Sequence, residues 1–313
     1  MEAIMVSRFG GPEVLEPVSL PDPEPGEGQL RVAVEYAGAG WLDTLIRRGK
    51  GPEEFPVRPP YVPGGAVAGT VTATGAGVPG DWLGARVITR APGGGYASVV
   101  LADAAFAFRV PDGLGLPEAL AVLDDGSTAL ALLERTPVFP GENVLVVPGV
   151  GGPGSLLVQL ARDREANVIA AVRGPEKAAL ARRLGVRAAD YADPAWTGQV
   201  PGLDVVFDGV GGPLGASALG LLRDGGRFSG YGMSSGAPTE PAEADRRRLT
   251  VADMSQLPEF WPDTPRRIRH VLAETAAGRL APVVGRVYPL RDAAKAHEDI
   301  EARRVTGKIL LRP

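Results

Sequence analysis

Residues 144–161 read VLVVPGVGGPGSLLVQLA. An unbroken apolar run, rich in valine, enters a glycine cluster and leaves it as an apolar stretch with helical period. The order is strand, tight loop, helix. Gly149, Gly151 and Gly154 fit G-x-G-x-x-G. Glycines at those positions allow a sharp turn and let the backbone approach a pyrophosphate closely. The helix that starts near Pro153 then offers free N–H groups and a partial positive charge to that anion. Gly149, Gly151, Gly152, Pro153 and Gly154 are therefore candidate cofactor-binding residues. A structural turn is the competing reading in a chain with 43 glycines. The second strand that follows at the right separation favours the phosphate loop.

That second strand is NVIAAV (167–172), and its end chooses between coenzymes. An acidic residue there would hydrogen-bond the adenosine ribose hydroxyls. Here the chain continues Arg173-Gly174-Pro175-Glu176-Lys177. Two cations beside a ribose suit a 2′-phosphate, so the expected cofactor is NADPH. Two solvated surface cations would look the same, and Glu176 must point outward for the argument to hold.

Further out, LPEALAVLDDGSTALALLER (116–135) and PEKAALARRLG (175–185) read as helices. LDVVFDGVGG (203–212) and GGRFSGYG (225–232) read as strands. Strand and helix alternate over more than a hundred residues, which predicts an α/β domain with a doubly wound parallel sheet over 119–258. Residues 1–118 differ. Short β-rich runs such as LRVAVEYAGAG (30–40) and VAGTVTATG (67–75) alternate with Gly and Pro, as in a compact β-rich domain. The tail, 259–313, carries a helix at 264–280, a strand and helix within 287–304, and a last strand, GKILLRP (307–313). That strand is expected to return to the first domain. A chain of 313 residues is long enough for two cores.

Composition narrows function. The net charge of −4 argues against a non-specific nucleic-acid binder. Arg246, Arg247 and Arg248 form at most a local basic patch, and a solvated helix end accounts for them as well. With no cysteine and only His270 and His297 as histidines, thiolate zinc, iron–sulfur clusters, disulfides and His-rich metal sites are excluded. No apolar run approaches membrane length and the start has no signal-peptide pattern, so a cytoplasmic protein with a small-molecule substrate is expected.

At this point the chain resembles a known family, the zinc-free quinone oxidoreductase branch of the medium-chain dehydrogenase/reductases. PGVGGPG (148–154) resembles its AxxGxxG loop. AGWLDTLIRRG (39–49), YVPGGAVAGTV (61–71), GGYASVV (94–100), DVVFDGVGG (204–212) and GKILL (307–311) resemble further family segments, in the family's order. The resemblance implies a GroES-like catalytic domain from 1–118 completed by 259–313, a Rossmann domain over 119–258, and an active cleft between them. It places Thr128 near the nicotinamide, puts Lys177 and Tyr191 on the 2′-phosphate, and implies a homodimer. Zinc-dependent relatives carry G-H-E-x-x-G where this chain has Gly64-Gly65-Ala66-Val67-Ala68-Gly69, so no catalytic metal is expected.

The chain departs from the family at three places. Gly40 replaces an Asn, Ala66 replaces an acid, and Pro148 opens the phosphate loop. It adds Asp124-Asp125 where relatives have small or apolar residues. Two adjacent carboxylates at a partly buried helix start suit either capping or acid/base chemistry. Asp124 and Asp125 are thus catalytic candidates, with Asp43 as a third that also fits a structural cap. Trp41 and Tyr61 are candidate substrate contacts, with packing as the alternative. His270 and His297 read as surface-helix residues without a role. The expected reaction is hydride transfer from NADPH to a quinone or α,β-unsaturated carbonyl. The alternative is a non-redox cyclase or dehydratase using Asp124 and Asp125, and a non-catalytic nucleotide-binding protein comes third.

Overall fold

The structure, a computed structural model, describes residues 1–53 and 55–313. The chain forms two units, Met1–Asp124 with Ile268–Pro313, and Asp125–Arg267. These limits differ from those expected at 118 and 258. The helix Leu116–Leu123 buries Leu116, Ala119, Leu120 and Leu123 and packs on strands of the first unit. Residues 259–267 stay with the second unit. There Arg267 donates to the Phe260 carbonyl at 2.6 Å and to Glu134 at 2.7 Å.

The second unit is a six-stranded sheet in the order Arg187–Asp190, Asn167–Val172, Asn143–Val147, Leu203–Asp208, Leu222–Gly230, Thr250–Ala252. Every pairing is parallel. In chain order this is 3-2-1-4-5-6, the doubly wound arrangement of dinucleotide-binding folds. Leu203–Asp208 is buried along its whole length, and Val144 to Val147 are likewise buried. Strands covered on both faces have no polar side to alternate with, which is why they stand out as apolar runs. The order of strands reverses between Asn143–Val147 and Leu203–Asp208. Their C-terminal ends therefore border the crevice where such sheets hold ligands.

The first unit holds a seven-stranded mixed sheet. Val284–Pro289, Lys308–Arg312, Gln29–Ala39, Ala66–Thr74, Arg86–Arg90 and Phe108–Arg109 follow one another, and Val99–Asp103 also pairs with Gln29–Ala39. Glu2–Val6 and Leu15–Ser19 make a separate antiparallel pair. The last strand does return, pairing Ile309 with Ala39 and Leu311 with Ala37. The core gathers Ile4, Val6, Leu30, Val32, Val67, Val71, Val87 and Leu311. Gln29–Ala39 leads into the helix Trp41–Arg47, against which the helix Ala293–Glu301 packs.

The Ala293–Glu301 helix corrects the reading of His297. Its inward face is Ala293, Ala296 and His297, and His297 is fully buried. The stretch 116–135 is also not one helix. It breaks at Asp124, so that Leu116–Leu123 and Asp125–Arg135 are separate helices.

Candidate functional site

In the second unit the chain leaves Val147, passes through Pro148 to Gly151, and enters the helix Gly152–Arg162. Gly149 donates its N–H to the Ala171 carbonyl at 2.8 Å. A Cβ at Gly149 would lie 2.5 Å from the Ala170 Cα, and one at Gly154 would lie 1.9 Å from the Pro148 carbonyl oxygen. The loop is thus pressed against strand backbone on one side and against itself on the other, and only glycine fits. Gly151, at the cap position, has no side chain to cap the helix. A helix start of this kind suits an anionic ligand.

Asp208 builds the facing wall. Its carboxylate accepts the Val210 and Gly211 N–H groups at 2.9 Å and the Thr239 hydroxyl at 2.6 Å. The ring of Tyr231 covers Gly209, where a Cβ would lie 2.6 Å from it. The Tyr231 hydroxyl is buried without a partner among the described residues. Burial, then the charges of Asp208 and Asp125, push its pKa up. Asp125 opens its helix with a carboxylate oxygen 2.3 Å from where a Cβ on Gly152 would stand. That places Asp125 beside the start of the phosphate helix, and Thr128 lies half-buried one turn further on.

The second strand ends as the sequence suggested, with Arg173 exposed and Lys177 and Tyr191 half-buried. The sequence reading missed Asp190. Its carboxylate accepts the Gly174 and Ala192 N–H groups, each at 2.9 Å. Those bonds, with the nearby Arg173 charge, hold it below the usual carboxylate range. Asp190 therefore braces the turn that carries Arg173. An Asp directly before Tyr191 was the available signal.

In the first unit Asp43 is the third residue of the helix Trp41–Arg47, and its Oδ2 accepts the Gly40 N–H at 2.7 Å. Tyr96 lies 2.9 Å from His297 Nε2, and Arg47 Nη1 lies 3.1 Å from His297 Nδ1. Arg47, Tyr96 and His297 are all fully buried. Burial pushes the Asp43 carboxyl up to about 6. The Gly40 bond, the Lys308 charge and the nearby Tyr96 hydroxyl oppose the shift, and Asp124 adds to it. Burial, then the Arg47 charge, takes His297 down to about 3.

Asp43, Tyr61 and Asp124 are thereby brought within electrostatic reach of one another. Burial, then Asp43, pushes Tyr61 up to about 12. The Tyr61 hydroxyl and Trp41 Nε1 are buried without hydrogen-bond partners among the described residues. Asp124 and Asp125, either of which the sequence offered as a general acid or base or as a cap, lie on either side of the helix break and face different partners. Asp124 pairs with Arg90 at 2.6 Å, while Asp125 faces the phosphate helix.

These features define a two-unit α/β dehydrogenase architecture with a dinucleotide loop. Comparison with known proteins agrees. Residues 26–112 match the family model "Alcohol dehydrogenase GroES-like domain", and residues 184–311 match "Zinc-binding dehydrogenase". The chain is 30% identical to a probable quinone oxidoreductase of Schizosaccharomyces pombe, over 98% of this chain and 96% of that one. It is 32% identical to a 2-haloacrylate reductase of a Burkholderia species, over 99% and 98%. Among solved structures, an Escherichia coli quinone oxidoreductase with NADPH superposes with a TM-score of 0.89 at 28% identity, covering 100% of both chains. A mycobacterial protein with NADPH gives 0.87 at 32%, again over 100% of both. The chain belongs to the medium-chain dehydrogenase/reductase superfamily, in its quinone oxidoreductase-like branch. It is an NADPH-dependent oxidoreductase.

Proposed function

We propose that this enzyme reduces a quinone or an α,β-unsaturated carbonyl without a metal, with Asp43 as the proton donor. NADPH, when bound, supplies the hydride. The pyrophosphate is held at the start of Gly152–Arg162, with Gly149 and Gly154 giving the close approach. Arg173, Lys177 and Tyr191 take the 2′-phosphate, and Thr128 contacts the nicotinamide end.

Hydride addition leaves negative charge on the substrate's carbonyl oxygen. The Tyr61 hydroxyl and Trp41 Nε1 are the donors assigned to that oxygen, because both are buried and unspent. Asp43 then delivers the proton. Its carboxyl, pushed up to about 6, exchanges protons near neutral pH, as a general acid must. The observation that carries this reading is the pair of unspent donors beside a partly desolvated carboxyl.

Metal-free chemistry is supported by the absence of cysteine and by Gly65 and Ala66 at the positions where zinc enzymes hold His and Glu. The cyclase or dehydratase alternative used Asp124 or Asp125 as the acid or base, and the ion pair that Asp124 makes with Arg90 speaks against it there. A homodimer and a cytoplasmic location complete the proposal.

NADPH deuterated at the transferred position, incubated with a panel of quinones and enones, tests the reading. With the enones deuterium should appear at the electrophilic carbon, and with the quinones the loss of NADPH absorbance should report turnover. Asp43→Asn should lower kcat by about 10²-fold with NADPH affinity unchanged. For the native enzyme, activity should fall as pH rises above about 6, as the acid is lost. No product with any acceptor defeats the proposal.

A further inference from the structure

We propose that Asp125 is a resident anion beside the coenzyme's pyrophosphate, and that its charge loosens the enzyme's hold on NADPH and NADP+ alike. This rests on the reading that the pyrophosphate lies at the start of Gly152–Arg162.

Packing fixes where the charge stands. Gly152 is the first residue of its helix, directly after the glycine loop. A Cβ on Gly152 would stand 2.3 Å from Asp125 Oδ2, 2.8 Å from its Cγ and 3.2 Å from its Oδ1. The carboxylate therefore faces this residue. Its Oδ2 lies no more than about 4 Å from the Gly152 Cα, which is one C–C bond further off. Gly149, Gly151 and Gly154 are crowded by Ala170 or Pro148, whereas Gly152 is crowded by a charged group. Asp125 opens the helix Asp125–Arg135, which packs along Gly152–Arg162, so the carboxylate is carried on an element that is itself held in place.

A second observation marks the same place as a ligand site. The Tyr231 hydroxyl is buried without a partner among the described residues, within range of the Asp125 charge. Its ring lies on Gly209, whose N–H donates to the Val147 carbonyl at 2.6 Å. That bond joins the two strands between which the strand order reverses. An unspent donor there suits a ligand with acceptor oxygens, such as a pyrophosphate.

Without coenzyme the Asp125 carboxylate is favourable, because a helix start carries partial positive charge. With a pyrophosphate in place, two anions share one helix end and repel each other. Asp208, the other carboxylate of this wall, is already committed to the Val210 and Gly211 N–H groups and the Thr239 hydroxyl. Asp125 is thus the charge that a coenzyme meets at Gly152. NADPH and NADP+ carry the same pyrophosphate, so both are weakened equally. A loosened hold suits an enzyme that must release NADP+ after every turnover.

Calorimetry on the full-length enzyme tests this. Asp125→Asn keeps the size and the helix-capping ability of the residue. It should bind NADPH and NADP+ each about 10-fold more tightly than the native enzyme at about 0.1 M salt. The gain should shrink toward unity at about 1 M salt, where exposed charges are screened beyond about 3 Å. Unchanged or weaker binding of either coenzyme overturns the proposal. Tighter NADPH with weaker NADP+ also overturns it, because the carboxylate would then face the nicotinamide ring. Should Asp125→Asn not fold, Asp125→Ser, which keeps a capping oxygen, decides by the same readout. Saturating NADPH should also raise the thermal midpoint further in the variant than in the native enzyme, and an equal rise counts against the proposal. A native enzyme that binds no NADPH defeats the reading of the loop, whereas native binding with no gain in the variant defeats the role of Asp125 alone.

Discussion

Arg173 and Lys177 are the single residues proposed to choose the coenzyme. Arg173 is exposed on a turn that Asp190 ties down through the Gly174 and Ala192 N–H groups. A braced backbone lowers the entropy lost when the guanidinium engages a phosphate. Charge-assisted bonds of this kind are worth about 1.5–3 kcal/mol each. Arg173→Ala should therefore weaken NADPH binding by roughly 10-fold or more and leave NADH binding nearly unchanged, as read by calorimetry. Asp190→Asn should give a smaller loss in the same direction. Equal weakening for both coenzymes would move the 2′-phosphate elsewhere. Both cations were legible in the sequence, since Arg173 stands where an acid would in an NAD enzyme and Lys177 follows on the next helix. The brace was not, because its partners are backbone N–H groups sixteen and two residues away.

At the scale of elements, the terminal strand Lys308–Arg312 has partners on both sides. It pairs in parallel with Val284–Pro289 and antiparallel with Gln29–Ala39, and Leu310 and Leu311 are fully buried. Truncation after Gly307 would strip Gln29–Ala39 of a neighbour and expose an apolar sheet edge. The truncated chain should lose the cooperative unfolding transition of the first unit in calorimetry and accumulate as aggregate. An unchanged transition would show the strand to be dispensable. Helix Ala293–Glu301 teaches the opposite lesson about legibility. Ala293, Ala296 and His297 share a face by helical spacing, a signal that marks His297 as inward. The charged residues around it, Glu298, Asp299 and Glu301, masked that stripe. The break at Asp124 did carry a local signal, the Asp124-Asp125-Gly126 of a helix start, and its two halves belong to different units.

For the whole molecule, His297 and Asp43 make opposite contributions to stability across mildly acid pH. His297 falls to about 3 when folded, so between that value and its ordinary 6.5 the unfolded chain holds the extra proton. Stability from this group is present above about pH 6.5 and declines as pH falls, by about 1.4 kcal/mol per unit. Asp43 rises to about 6 from an ordinary 3.8, so there the folded chain holds the extra proton. Its contribution is present below about pH 4 and declines as pH rises through 6. Between pH 4 and 6 the two nearly cancel. Asp43→Asn leaves the histidine slope uncompensated. Denaturant titrations at pH 4 and 6 should show this variant losing more stability on acidification than the native enzyme, by about 1–2 kcal/mol. Equal losses would mean that the two groups do not titrate as described.

The sequence by itself determined the layered α/β plan, the phosphate loop and the preference for NADPH. Those features are written in short windows, where buried parallel strands leave apolar runs, glycines mark close backbone contact, and a cation replaces an acid at one strand end. Tertiary structure alone decided how Asp43, Tyr96, Arg47 and His297 meet. Arg47 and its anchor Glu301 alone are 254 residues apart. Long-range contacts of that kind are set by which faces pack together and leave no periodic trace. Packing also split Asp124 from Asp125, because adjacency in the chain fixes neither the direction of a side chain nor the unit whose core its helix joins.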